Sequence, residues 1–247
     1  MRFLLPSVIA ATVSSLVLLH GAARADAAGD KALAAVDAAM NKAASHSFEY
    51  EASTTEAGKA EKKVNLIVYI KGAKRYVEFT APADMKGSKI LILSPAEMYV
   101  YLPSFGKVRR IASHTTDQGA FGMAFGQDDL ALQQYGATYT ATQSGDKLTL
   151  IPKSGQTSPY AKLELTVLKD KNLPGEIRYY DAKGALVRTE VRSDYSCGSG
   201  DQQGICTPGK QRMVDHTKNL ITTMTRKAWK ANAALSDDQF TKRSLEK

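Results

Sequence analysis

Outside the first 25 positions, the residues able to do chemistry are three histidines, two cysteines and one pair of adjacent arginines. His46, His114 and His216 lie far apart, and no carboxylate motif accompanies any of them. A metal site or a general base would need such neighbours, so neither is expected. The chain has no Gly-x-Ser-x-Gly elbow, no His-Glu-x-x-His and no glycine-rich phosphate loop. No catalytic residue, cofactor or metal is therefore expected. Cys197 and Cys206 stand nine positions apart in a polar, glycine-rich stretch. They could form a disulfide or a two-thiolate metal site. No histidine lies between them, and an oxidising compartment favours a disulfide that pins the loop.

Arg109 and Arg110 follow a strand and precede an apolar loop. A guanidinium at the mouth of a container could bond a lid carbonyl or a lipid phosphate in a forked geometry. The alternative is a solvated strand end, whose alternation would point the two in opposite directions. Phe105, Phe121, Met123 and Phe125 are interspersed with Gly106, Gly119, Gly122 and Gly126. Glycine hinges around apolar anchors suit a gate, although a loop packed on the core would look the same.

Residues 1–25 read as an export signal. Arg2 begins it, Phe3 to Leu19 is apolar or small, and Ala23-Arg24-Ala25 fits a small-x-small cleavage site. The expected mature chain, 26–247, is a single domain large enough to bury a substantial core. Losing Arg2 and Arg24 lowers the net charge from +8 to +6. Modest basicity in an exported protein argues against nucleic acid and suits anionic headgroups or an acidic protein surface. No second apolar run is long enough to span a bilayer, so a soluble periplasmic protein is expected.

The elements that would position these residues are mostly strands. Residues 26–46 form an alanine-rich helical stretch with Leu33, Val36 and Met40 on one side. Period-two segments follow at 62–72, 74–82, 88–95, 97–103, 146–152, 161–170, 175–182 and 185–193. Gly145-Asp146, Leu173-Pro174-Gly175 and Ala182-Lys183-Gly184 are expected turns. Residues 210–217 and 220–231 read as one more pair joined at Lys218-Asn219, with threonines disfavouring helix in the second. A helix is expected near 128–136, capped by Asp128 or Asp129 and ended by Gly136. Eight to eleven sequence-adjacent strands mean an antiparallel meander, a curled sheet or a barrel.

Two short helices cannot cover that many strands, so the sheet closes on itself or leaves an apolar hollow. Candidate cavity-wall residues by alternation are Leu66, Val68, Ile70, Phe79, Leu91, Leu93, Leu163, Leu165 and Val167. Tyr99 and Tyr101 share a strand face and could line the hollow with hydroxyls at its rim, or pack across strands. Trp229 reads as a packing anchor.

At 81–130 the chain resembles the LolA-like outer-membrane lipoprotein-sorting family. The likeness is carried by Pro82-Ala83-Asp84-Met85-Lys86-Gly87, Tyr99-Val100-Tyr101-Leu102-Pro103, Lys107-Val108-Arg109-Arg110-Ile111 and Phe121-Gly122 to Asp128-Asp129-Leu130. The segment Asp237 to Glu246 is similar as well. The resemblance implies a mainly β fold: one antiparallel sheet curled into an incomplete barrel, covered by an N-terminal helix and a short lid helix. It implies a monomeric carrier of acylated lipoprotein or other lipid, receiving cargo from an inner-membrane transporter and passing it to an outer-membrane acceptor. The insert at 195–210 departs from the founding carriers. Two other readings stay open: a lipid-sensing module that binds a membrane protein, and a hydrolase, for which no triad is visible.

Overall fold

The computed structural model describes residues 26–94, 96–111, 120–126, 129 and 134–247. The signal-like segment 1–25, His114, Gly119, Asp128 and Leu130 lie outside them.

Helix α1, Ala27–Met40, is started by Asp26, whose carboxylate accepts the Gly29 amide. It buries Leu33 and Val36 and ends at Asn41, earlier than the alanine-rich pattern suggested. The reason is the next element. Ser45–Glu56 alternates Phe48, Tyr50, Ala52 and Thr54 inward, and tertiary burial makes it strand β1.

Strands β2 (Lys62–Lys71), β3 (Lys74–Ala81), β4 (Lys89–Ser94), β5 (Glu97–Leu102) and β6 (Lys107–Arg110) then run outward as successive hairpins. After helix α2, Tyr135–Thr138, a second arm comprises β7 (Tyr139–Ser144), β8 (Lys147–Pro152), β9 (Lys162–Leu168), β10 (Leu173–Tyr180) and β11 (Leu186–Ser193). A small hairpin, β12 (Ser196–Cys197) and β13 (Cys206–Thr207), stands apart from the sheet. Strands β14 (Lys210–Asp215) and β15 (Leu220–Ala231) then join the arms, β15 pairing with β1 and β14 with β11.

The result is a single antiparallel sheet of thirteen strands whose edges, β6 and β7, do not meet. It is an incomplete barrel with few helices. Gly145 and Gly184 adopt the positive φ their turns need, as does Asn219 between β14 and β15. Two expectations differ. Leu173-Pro174-Gly175 lies inside β10 at a bulge, and the turn sits just before it, with Asn172 at φ 53°. Gly136 lies within α2 rather than ending a helix.

Helix α1 lies against the β7–β10 arm. Its start caps edge strand β7 in both directions: the Asp26 amide donates to Ala141 O (3.1 Å) and the Ala141 amide to Asp30 Oδ1 (2.8 Å). Gly29 is required there, since a Cβ would come within 2.5 Å of Ala141 O. Asp37 then holds α2 by accepting from the Tyr135 and Gly136 amides at 2.8 and 2.7 Å. This half of the interior is filled. The β1–β5 arm is covered differently. Its outer face packs Tyr76, Leu91 and Tyr99 under Phe240 and Leu245 from two 3-10 turns at the C-terminus. Both faces of this arm are apolar because both are covered.

Candidate functional site

Between the inner face of β1–β4 and the crossing segment 120–126 lies a cavity of ≈ 560 Å³. Strand register builds its wall in rungs. His46, Ile70 and Arg75 sit across β1, β2 and β3 on one rung. Phe48, Val68, Val77 and Ile90 form the next, and Tyr50, Leu66 and Phe79 the one beyond. Alternation alone turns all of these to one side. Met224 of β15 completes the apolar wall, and Met123 and Phe125 of the crossing segment close it.

The rim is formed by the end of α1 (Met40, Asn41), by the exposed Ala44, Gly72, Ala73 and Gln134, and by Cys206, Thr207 and Pro208. Cys197 and Cys206 are joined in a disulfide, so the crosslinked hairpin supplies part of that rim. Arg226 of β15 supports it, donating to Thr207 O at 3.3 Å.

Polar groups gather on the wall towards β11. Glu190 is buried and accepts from Arg192 Nε (2.6 Å) and Nη2 (3.1 Å) and from the Tyr179 hydroxyl (2.8 Å). Burial opposes the Arg192 charge, but Glu190 and Tyr135 hold its pKa well above the ordinary arginine value. Arg75 is pulled down to about 10, by burial first and by the charge of Arg192 second. Burial pushes the Tyr50 hydroxyl up to about 12. His46 is lowered to about 4, by burial first and then by Arg75, and its Nδ1 accepts from Trp229 Nε1 at 3.1 Å.

The crossing segment is fastened at three places. Phe121, in the left-handed region at φ 54°, sets its ring 4.5 Å from that of Phe79. The Ala124 amide donates to Thr222 Oγ1 at 2.8 Å. Asp129, at the expected start of a helix whose neighbouring residues lie outside the described ones, accepts from the Gly126 amide (2.7 Å), Arg188 Nη1 (2.8 Å) and the Tyr160 hydroxyl (2.6 Å). Asp129 and Arg188 are both buried; burial opposes the Arg188 charge, but Asp129, Tyr160 and Asp215 raise its pKa.

The residues singled out by alternation divide into three groups. Leu66, Val68, Ile70 and Phe79 line the cavity. Leu163 and Leu165 also face inward but are fully buried in the cluster with Leu33 and Val36, and Val167 packs against that cluster; α1 fills their side. Leu91, Leu93, Tyr99 and Tyr101 belong to the opposite face, beneath Phe240, Leu245 and Leu235, so their expected place on the wall is corrected. The gate residues also separate. Met123 and Phe125 line the cavity and Phe121 covers Phe79. Phe105 is 54% exposed at the β5–β6 hairpin, with Arg109 4.6 Å from its ring. Arg110 is exposed and donates to Ala96 O at 2.9 Å. Those three lie on the far edge of the sheet, away from the cavity. His216 bonds Thr189 on an exposed surface at 2.9 Å.

Alternation in β1 and β11 could have flagged His46, Tyr50, Glu190 and Arg192. The pairing that brings them together, β1 on β15 and β14 on β11, is long-range and leaves no local signal.

A protein-family model described as an uncharacterized protein matches residues 71–247. Three of the solved structures that share the fold are the following. A DUF1329 family protein from Desulfovibrio piger is 24% identical at a TM-score of 0.81, over 88% of this chain and 98% of that one. An outer membrane lipoprotein-sorting protein domain from Vibrio parahaemolyticus is 20% identical at 0.76, over 89% and 99%. A LolA superfamily protein from Nitrosomonas europaea is 21% identical at 0.70, over 87% and 98%. The chain belongs to the family of that model, and its fold is the one the LolA superfamily protein and the lipoprotein-sorting domain adopt. No curated protein matches it by sequence. The open thirteen-stranded sheet is this chain's version of the fold those structures share.

Proposed function

We propose that this LolA-like protein is a non-enzymatic carrier, working in the periplasm, that shields the acyl chains of a lipoprotein or lipid on their way toward the outer membrane. One observation supports it above the others: an apolar hollow of ≈ 560 Å³ under a separately fastened crossing segment. Leu66, Val68, Val77, Phe79 and Ile90 offer the chain a continuous apolar track, and Met123 and Phe125 offer it a cover.

The energetics suit transport. Each buried methylene gains about 0.8 kcal/mol, so an acyl chain of about sixteen carbons gains roughly 10 kcal/mol before ordering costs. That protects the chain in water yet allows release to a better acceptor. An inner-membrane donor and an outer-membrane acceptor follow from the same reading, with the protein acting as a monomer and without metal or cofactor.

Native mass spectrometry of protein isolated gently from its own periplasm tests the proposal. Recovery of a stoichiometric lipid or acylated protein is the expected outcome. Recovery of only the bare polypeptide, with no uptake from added lipid, would overturn it.

A further inference from the structure

Among the described residues two large apolar side chains are exposed, Leu186 at 37% and Phe105 at 54%. Phe105 stands at the tip of the β5–β6 hairpin, and the tip is built to hold it. The Phe105 and Gly106 amides both donate to Leu102 O, at 2.9 and 3.1 Å, and Gly106 takes the positive φ of 58° that the turn needs. Pro103 abuts the neighbouring 82–88 turn, where a Cβ on Gly87 would come within 3.3 Å of Pro103 Cγ. The ring has Arg109 over it, with the guanidinium carbon 4.6 Å from its centre.

The ground around the tip is basic. Lys107, Arg109 and Arg110 on β6 and Lys86 on the adjoining turn are exposed. The last C-terminal 3-10 turn, Lys242–Glu246, packs on β4, β5 and β6 and adds the exposed Lys242 and Arg243. Against these cations stand the exposed Asp84 and Glu246. Among the described residues, no carboxylate forms a salt bridge with any of the six. The ion pairs of this arm lie elsewhere: Lys59 with Glu56, Lys63 with Glu61, Lys71 and Lys74 with Asp237, and Lys227 with Glu51.

An aromatic tip in a field of positive charge suits an anionic bilayer surface. The ring sinks to the level of the headgroups and the cations meet the phosphates. A protein partner fits less well. A stable protein interface buries about 800 Å² on each side, around a core depleted in lysine. This surface offers one large exposed apolar side chain among lysines and arginines.

We infer that the β5–β6 tip is a membrane-docking site, with Phe105 seated among the headgroups of an anionic bilayer and Lys86, Lys107 and Arg109 on their phosphates. Strand β3 leaves the cavity rim at Lys74, next to Gly72 and Ala73, and enters the 82–88 turn after Ala81. The tip and the rim are therefore at opposite ends of the arm. The docking surface is separate from the cavity, and the inference does not rest on the carrier reading.

Sedimentation of protein isolated from the periplasm with lipid vesicles tests it. Vesicles of phosphatidylcholine alone are compared with vesicles of equal parts phosphatidylcholine and phosphatidylglycerol. The wild type is expected to prefer the anionic vesicles by about tenfold or more, and less as salt is raised. Phe105→Ser should weaken that binding by about fivefold or more, and Lys107→Glu combined with Arg109→Glu by about tenfold or more. Phe105→Trp, which keeps an interfacial ring, should bind at least as tightly as the wild type. These side chains are exposed, so thermal unfolding of each variant should match the wild type. Equal binding to both kinds of vesicle would overturn the inference and leave the patch to an acidic protein. Binding that Phe105→Ser leaves unchanged would reduce the surface to diffuse charge attraction, and binding that survives the paired reversal would place the contact elsewhere; either result overturns it. A wild type that docks on anionic vesicles yet takes up no palmitate would support the docking site and count against the carrier reading alone.

Discussion

His46 stays neutral in the folded protein because its ring is buried, faces Arg75 and accepts from Trp229 at Nδ1. In the unfolded chain it protonates near its ordinary 6.5, while the folded value is about 4. Between those values the unfolded state binds the extra proton, so stability falls as pH drops through that window and is recovered above it. Urea unfolding at pH 7 and pH 5 should show the wild type losing about 2 kcal/mol more than His46→Gln over the same interval. Equal losses would show that the ring is not held neutral. In the sequence His46 carries no companion that marks a site. Its position on the cavity wall follows only once Ser45–Glu56 is known to be strand, and the serine- and glutamate-rich text after an alanine-rich helix hides that. Arg75 has the same history: its strand was legible, its inward-facing charge was not.

At the scale of elements, one of the three fastenings of the crossing segment is a buried ion pair. Asp129 and Arg188 have side chains only 2% and 7% exposed. Without Asp129, Arg188 keeps Asp215 at 3.5 Å and the Tyr160 hydroxyl loses its acceptor, so Asp129→Ala should lower stability by about 1–3 kcal/mol in chemical denaturation. A loss below about 1 kcal/mol would mean that the segment is held by its apolar contacts alone. Hairpin chemistry made β2–β5, β8–β11 and the β14–β15 pair readable, because each is bounded by its own turn residues and alternates locally. Strand β7 was missed; its Thr-Ala-Thr alternation is weak, and it earns its place by accepting the start of α1. Tyr99 and Tyr101 were placed correctly on a shared face, but the face was wrong. Which side of β5 meets the cavity depends on Phe240 and Leu245, far along the chain, and no local pattern carries that.

For the whole molecule, the account divides one open sheet into a filled half and a hollow half. Helix α1 fills the β7–β10 side with Leu33 and Val36, and the β1–β4 side keeps its hollow beneath Met123 and Phe125. The incomplete barrel was legible because many adjacent strands came with little helix to cover them. The location of the hollow was not, because it is set by where one helix docks. Methyl-resolved NMR during titration with palmitate tests the division directly. The account predicts saturable shifts at Leu66, Val68 and Ile70 on the inner face, with Leu91 and Leu93 on the outer face of the same arm unmoved. Shifts confined to Leu91 and Leu93, or no saturable shift at any of the five, would contradict it.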